Sequence, residues 1–267
     1  MPITIHKANI LNDAQVDQLL SEVRPTHLLH TAWIVKPGVA LVHTENLLWV
    51  EKTLRLVRQF EQCGGKNLVI TGSSYEYDVE YGYCSEDKTP CSPATLYGAG
   101  KYALKLLLEK YCGNQKINFA WARLFDLFGP RENLHRLVPA VVTALLHGQT
   151  ARCSQGLQIR DYMYIQDAAD ALATLLEKGS EGTFNVCSGR AISVRELVSS
   201  IADKLKATDR VEFGALPTRP DEVPLIVGDP RKLTNTTGWQ PEHDFDAAIT
   251  HTIDWWRNQL TTGAVNK

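Results

Sequence analysis

NLVITGSSYEYD, residues 67–78, and SPATLYGAGKYALKLLLEKY, residues 92–111, decide the fold of this chain. The first segment is an apolar, β-branched run that ends in Thr-Gly-Ser-Ser, the pattern of a buried strand opening into a loop. The second is a leucine-rich helix. Near its start Tyr97 and Lys101 stand four residues apart, so their side chains share one helical face. A hydroxyl at a strand end, followed by a Tyr and a Lys one turn apart, is a constellation for proton transfer. A neighbouring ammonium favours the phenolate and lowers the tyrosine pKa from about 10. Ser73 can then hold a substrate oxygen while Tyr97 takes or gives its proton. Taken alone, Y-x-x-x-K also fits an ordinary surface pair, and the rest of the chain has to decide between the two.

Outward from this stretch, the first half alternates. ITIHKANI (3–10) reads as a short strand, and Asn12 or Asp13 can cap the helix that follows. HLLHTAW (27–33) is a buried strand, and residues 41–62 form a helix with Leu47, Val50, Leu54 and Val57 on one stripe. After the Tyr/Lys helix, INFAWARLF (117–125) is another strand. Strand–helix alternation of this kind implies a parallel sheet with helices on both faces. The second half is less regular: Ser193 and Glu196 form a capping box, residues 215–230 are a proline-containing loop with room for one strand, and the last helix carries Ile249, Ile253, Trp256 and Leu260.

Composition excludes several classes. With 28 basic and 30 acidic residues, the net charge of −2 gives no electrostatic footprint for nucleic acid. No apolar run reaches the roughly 18 residues that span a bilayer, so no membrane partner is expected. Six cysteines lie scattered with no C-x-x-C, which suits reduced thiols and a cytoplasmic location. No His/Cys/Asp/Glu cluster has zinc spacing, and no metal is expected.

HLLHTAW, TGSSYEYD, YGAGK, ARLFDLFGPR, GLQIRDYMYIQDAADAL, GTFNVCSG, TRPDE and TGWQP occur in that order along the whole chain. This set resembles the extended short-chain dehydrogenase/reductase family, the NAD(P)-dependent epimerases and dehydratases of nucleotide-diphosphate sugars. The resemblance implies an α/β fold: a Rossmann-like parallel sheet with a smaller C-terminal substrate lobe. Residues 1–130 would form the nucleotide-binding core, with 161–189 returning to it, and 131–160 and 190–267 the substrate lobe. It implies that Tyr97 is the catalytic acid/base, Lys101 the lysine that meets the nicotinamide ribose, and Ser73, four residues before Tyr77, the catalytic hydroxyl. Asn9 and Ala32 would face the cofactor, with Asn9 where many members place an aspartate near adenine. Arg160 and Arg219 match arginines that hold the diphosphate, a task suited to a planar, multidentate cation. Asp126 stands where the family usually has an asparagine near substrate, and Ser74 and Tyr75 fall on the substrate side. In the 4,6-dehydratases of this family those last two positions are Asp and Glu. Their replacement favours 4-epimerisation or 4-keto reduction, with NAD or NADP as cofactor and a homodimer as the assembly.

One family element is absent from these 267 residues: the strand, glycine-rich turn and helix whose backbone N–H groups hold the pyrophosphate. The sheet is therefore expected to lack its first two strands, and NAD or NADP to bind weakly. A truncated reading frame, a deliberately made piece and a natural remnant all fit this. The alternative to an enzyme is a non-catalytic remnant that binds a sugar nucleotide or a partner subunit.

Overall fold

The computed structural model describes residues 3–34, 38–218 and 222–262. The elements follow in chain order: α1 (Asp13–Val23), β1 (His27–His30), α2 (Glu45–Gln62), β2 (Asn67–Ser73), β3 (Tyr83–Cys84), α3 (Leu96–Gln115), β4 (Asn118–Leu124) and β5 (Asp126–Phe128). Then come α4 (Leu137–Leu146), β6 (Ala151–Cys153), β7 (Ile159–Tyr164), α5 (Ile165–Glu177), β8 (Gly182–Val186) and β9 (Ala191–Ser193). The last are α6 (Val194–Leu205), β10 (Val211–Phe213), β11 (Leu225–Gly228), α7 (Arg231–Thr237) and α8 (Phe245–Thr261).

The chain divides into two compact units. The first comprises Met1–Asp78, Pro90–Arg123 and Leu172–Phe184; the second comprises Val79–Thr89, Leu124–Ala171 and Asn185–Lys267. In the first unit a four-stranded sheet runs in the order β1-β2-β4-β8, with β1 parallel to β2 and His30 opposite Ile70. Its core gathers Leu68 and Ile70 of β2, Val57 and Phe60 of α2, and Leu104 and Leu108 of α3. In the second unit β3-β11-β7-β5 form a sheet of parallel neighbours, with β9 antiparallel on β7. Asp161 of β7, fully buried, ties that sheet to its loops by accepting from the Ser188, Gly189 and Gly228 amides at 2.8, 2.9 and 3.2 Å. The chain is thus α/β with Rossmann-like parallel sheets, as the alternation implied.

Local signals explain the helix ends. Asn12 caps α1, Thr95 caps α3 through the Gly98 amide, and Ser193 and Glu196 make the expected capping box on α6. Two expectations fail, and a third holds only in part: the strand expected over 27–33 ends at His30, which is its one buried residue. ITIHKANI forms no strand: Ile3 and Ile5 are 90% and 84% exposed, and no strand among the described residues pairs with β1 on the side away from β2. Leu47 does not belong to the buried stripe of α2. It is 61% exposed, and the inward face is Asn46, Trp49, Thr53, Leu56, Val57 and Phe60, because two polar residues have buried partners that a hydrophobicity pattern cannot see.

Candidate active site

Strand β2 ends at Ser73, whose backbone is still extended, and a single 3-10 turn, Ser74–Glu76, follows at once. Ser73 Oγ caps that turn by accepting from the Tyr75 amide at 3.2 Å. Capping uses the hydroxyl as an acceptor and leaves its proton to donate. Ser73 and Ser74 are 6% and 7% exposed, and Tyr75 is 39% exposed.

The start of α3 lies directly against this turn. A Cβ on Gly98 would fall 2.2 Å from the Tyr75 carbonyl oxygen, so only glycine permits the approach. Tyr97, next to it, is half-buried, and its ring meets Tyr75 edge-on at 6.2 Å and Trp33 at 6.4 Å between centroids. One turn on, Lys101 is 1% exposed. Its Nζ donates to the Thr71 carbonyl of β2 at 2.7 Å and lies 4.0 Å from the centre of the Trp33 ring. Trp33 is fixed in turn by its indole N–H, which donates to Asn46 Oδ1 at 2.8 Å. Burial pushes the Lys101 ammonium down to about 7, with the charge of Glu76 opposing that shift. His30, at the end of β1, is pushed down to about 4 by burial and by Lys101. Ser73, Ser74, Tyr75, Tyr97 and Lys101 are therefore brought together on one unit, as read from the sequence. Lys101, one helical turn from Tyr97, therefore carries less charge near neutral pH than a free lysine would.

Ala32 lies exposed in the stretch after β1, next to Trp33. Asn9 is occupied locally: its Oδ1 accepts from the Leu11 amide at 3.0 Å, and its own amide donates to Gln15 Oε1 at 2.7 Å. In the second unit Asp126 and Arg160 do meet, with Arg160 Nε 3.9 Å from Asp126 Oδ2. Arg160 also pairs with Glu222, and Arg136 stands 3.8 Å from Asp126 and 3.5 Å from Glu132. Burial raises the carboxyls of Asp126 and Glu132, the latter to about 7, against the pull of Arg136. Arg219 lies outside the described residues.

Several site residues had no place in the sequence reading: Trp33 over Lys101, Glu222 against Arg160, and Glu76 beneath Ser73. Glu76 had a visible signal, since Ser73 and Glu76 carry the same S-x-x-E spacing that located the α6 cap.

The model of the NAD dependent epimerase/dehydratase family matches residues 2–187. The chain belongs to this family. A UDP-glucose 4-epimerase of Mycolicibacterium smegmatis is 30% identical over 261 residues, 95% of this chain and 82% of that protein. A dTDP-glucose 4,6-dehydratase of Xanthomonas campestris pv. campestris is 25% identical, over 96% of this chain and 79% of its own length. Among solved structures, a Thermus thermophilus UDP-glucose 4-epimerase, in complex with NAD, superimposes with a TM-score of 0.81 at 26% identity, covering 94% of this chain and 83% of that one. Members of the epimerase/dehydratase family are NAD-dependent enzymes of nucleotide sugars, and this chain is one of them by family. The donor set suits the nicotinamide end of such a cofactor, because Lys101 keeps two N–H groups after the Thr71 bond and Ser73 keeps its hydroxyl proton.

Proposed function

We propose that this chain modifies a nucleotide-diphosphate sugar at C4, by epimerisation or 4-keto reduction, through Ser73, Tyr97 and Lys101. One observation carries the reading: the Gly98 approach that seats Tyr97 against the Ser73 turn, with Lys101 one helical turn below. NAD or NADP supplies hydride exchange when bound. Ser73 donates a hydrogen bond to the sugar oxygen, and Tyr97 exchanges the proton on that oxygen. Lys101, held by the Thr71 carbonyl, carries the charge that steadies the phenolate. Ser74 and Tyr75 border the sugar. Arg160, with Arg219, holds the diphosphate, for which Glu222 gives way, and Asp126 orients Arg160. Asn9 and Ala32 lie on the cofactor side.

A dehydratase outcome is disfavoured by Ser74 and Tyr75, which supply no acid and base for loss of water. A second reading, ligand binding without turnover, draws on the covered Lys101. Calorimetric titration separates the two. Weak binding of NAD and NADP, with conversion of UDP-glucose to UDP-galactose at saturating cofactor, supports the enzyme; binding of UDP-glucose with no conversion supports the second reading.

The assembly we propose is a homodimer through α2 and α3, which expose Leu47, Leu48, Leu106 and Leu107. Light scattering on a sized sample checks it, and a clean monomer at micromolar concentration would count against it. The six cysteines, none of them in a disulfide among the described residues, support a cytoplasmic location, and no described helix is long and apolar enough to cross a membrane.

A further inference from the structure

We propose that Glu76 is a positioning residue of the Ser73–Tyr97–Lys101 centre, its carboxylate anchoring the serine through the Ser73 amide. This rests on the role of Ser73 proposed above.

Glu76 is fully buried, yet each of its oxygens is engaged. Oε1 accepts from the Ser73 amide at 2.8 Å and from the Trp121 indole at 2.9 Å. Oε2 accepts from Arg123 Nε at 2.8 Å and from the same indole at 3.1 Å. Burial works against the Arg123 charge, but the neighbouring Glu76 holds the guanidinium above its ordinary range. That guanidinium is itself stacked at 4.3 Å on the Tyr77 ring and donates to Cys91 Sγ at 3.0 Å. The anchor is therefore rooted in β4 and in the turn itself, both of them packed elements.

The sequence makes room for it at one atom. A Cβ on Gly72 would lie 2.5 Å from Glu76 Oε1 and 2.2 Å from the Trp121 nitrogen. Glycine before Ser73 is thus what lets a carboxylate pass beneath the strand end. A helix cap alone would need no buried arginine and no indole. The capping glutamate of α6, Glu196, lies at the surface with neither. Charge-assisted bonds to a backbone amide fix geometry tightly, and a misplaced hydroxyl costs rate rather than substrate affinity. The same carboxylate also opposes the burial that discharges Lys101.

The test has two arms on the full chain. In the first, amide hydrogen exchange at Ser73 is compared with that at Leu108 of α3. Glu76→Gln should speed Ser73 exchange by about tenfold or more while Leu108 holds its rate. An unchanged ratio overturns the anchor, and this arm needs no turnover. If Glu76→Gln does not fold, Glu76→Gln/Arg123→Gln removes both charges together and the same ratio is read.

In the second arm, conversion of UDP-glucose with NAD is measured for Glu76→Gln, Ser73→Ala and the double variant. Glu76 acting through Ser73 lowers kcat with KM within about threefold, and the second substitution adds less than about threefold to the first. Losses that multiply would overturn the proposal. Wild-type turnover in Ser73→Ala would instead refute the role of Ser73, leaving the exchange ratio to judge the anchor.

Discussion

Two glutamates show how differently the two units treat a buried carboxyl. Glu76, in the first unit, meets three donors at 2.8 to 3.1 Å, one of them a buried arginine. Glu132, in the second, has one oxygen 3.5 Å from the half-exposed Arg136 and the other buried with no hydrogen-bond partner. Burial is costly for both, and only the first is compensated in place. The first unit therefore holds its constellation ready-made. In the second unit Arg136 stands 3.8 Å from Asp126 and 3.5 Å from Glu132, while Arg160, 3.9 Å from Asp126, is closely paired with Glu222.

The largest expected effect comes from breaking the satisfied pair. Arg123→Ala leaves Glu76 buried without its charge partner and should cost about 3–5 kcal/mol in urea unfolding. A loss below about 1 kcal/mol would remove the contrast, because that is the scale of an exposed ion pair.

Next is the pH window of Lys101. Its folded pKa is about 7, below the ordinary 10.5, so between those values the unfolded chain binds the extra proton. Stability should accordingly rise with pH across that window, by about 2–3 kcal/mol between pH 7 and 9. His30, at about 4 against 6.5, acts in the same direction at lower pH. The urea midpoint of wild type should climb from pH 7 to 9 and that of Lys101→Met should climb less; equal slopes would contradict the burial of the amine. The comparison stops at pH 9 because buried thiols such as Cys112, pushed up to about 12, reverse the sign above it.

The smallest effect has the opposite sign to the first. The Glu132 carboxyl is raised to about 7 from 4.5, so the folded chain holds a proton that the unfolded chain has lost between those values. The Glu132 contribution to stability falls as pH rises through that window, against the rise that His30 contributes over its lower part, and Glu132→Gln removes the Glu132 contribution alone. At pH 8 the variant should be more stable than wild type by about 1–3 kcal/mol. A destabilised variant would mean that Glu132 is as well partnered as Glu76.

Much of this was legible in the sequence, for reasons that separate cleanly. The β2 strand, the α3 helix and the placing of Tyr97 and Lys101 one turn apart on it depend on local periodicity and spacing, and those survive folding unchanged. What was not legible depends on residues distant in the chain meeting in space. Trp33 covers Lys101 only because Asn46 fixes its indole, and Glu76 becomes an anchor only when Trp121 and Arg123 of β4 come alongside β2. The opening ITIHKANI has strand-like residues, but a strand also needs a neighbour, and none among the described residues pairs with it. Leu47 of α2 was assigned inward because a helix with polar Asn46 and Thr53 on its buried side breaks the usual stripe.

The most direct test of the account is turnover at C4 by one pair of proteins. Wild type and Tyr97→Phe are incubated with saturating NAD and either UDP-glucose or its C4-deuterated form, and UDP-galactose is followed by NMR. The account expects wild type to convert the deuterated sugar more slowly than the ordinary one. It expects Tyr97→Phe to bind UDP-glucose while converting neither form. Conversion by Tyr97→Phe at the wild-type rate, or no conversion by wild type with cofactor demonstrably bound, would contradict it.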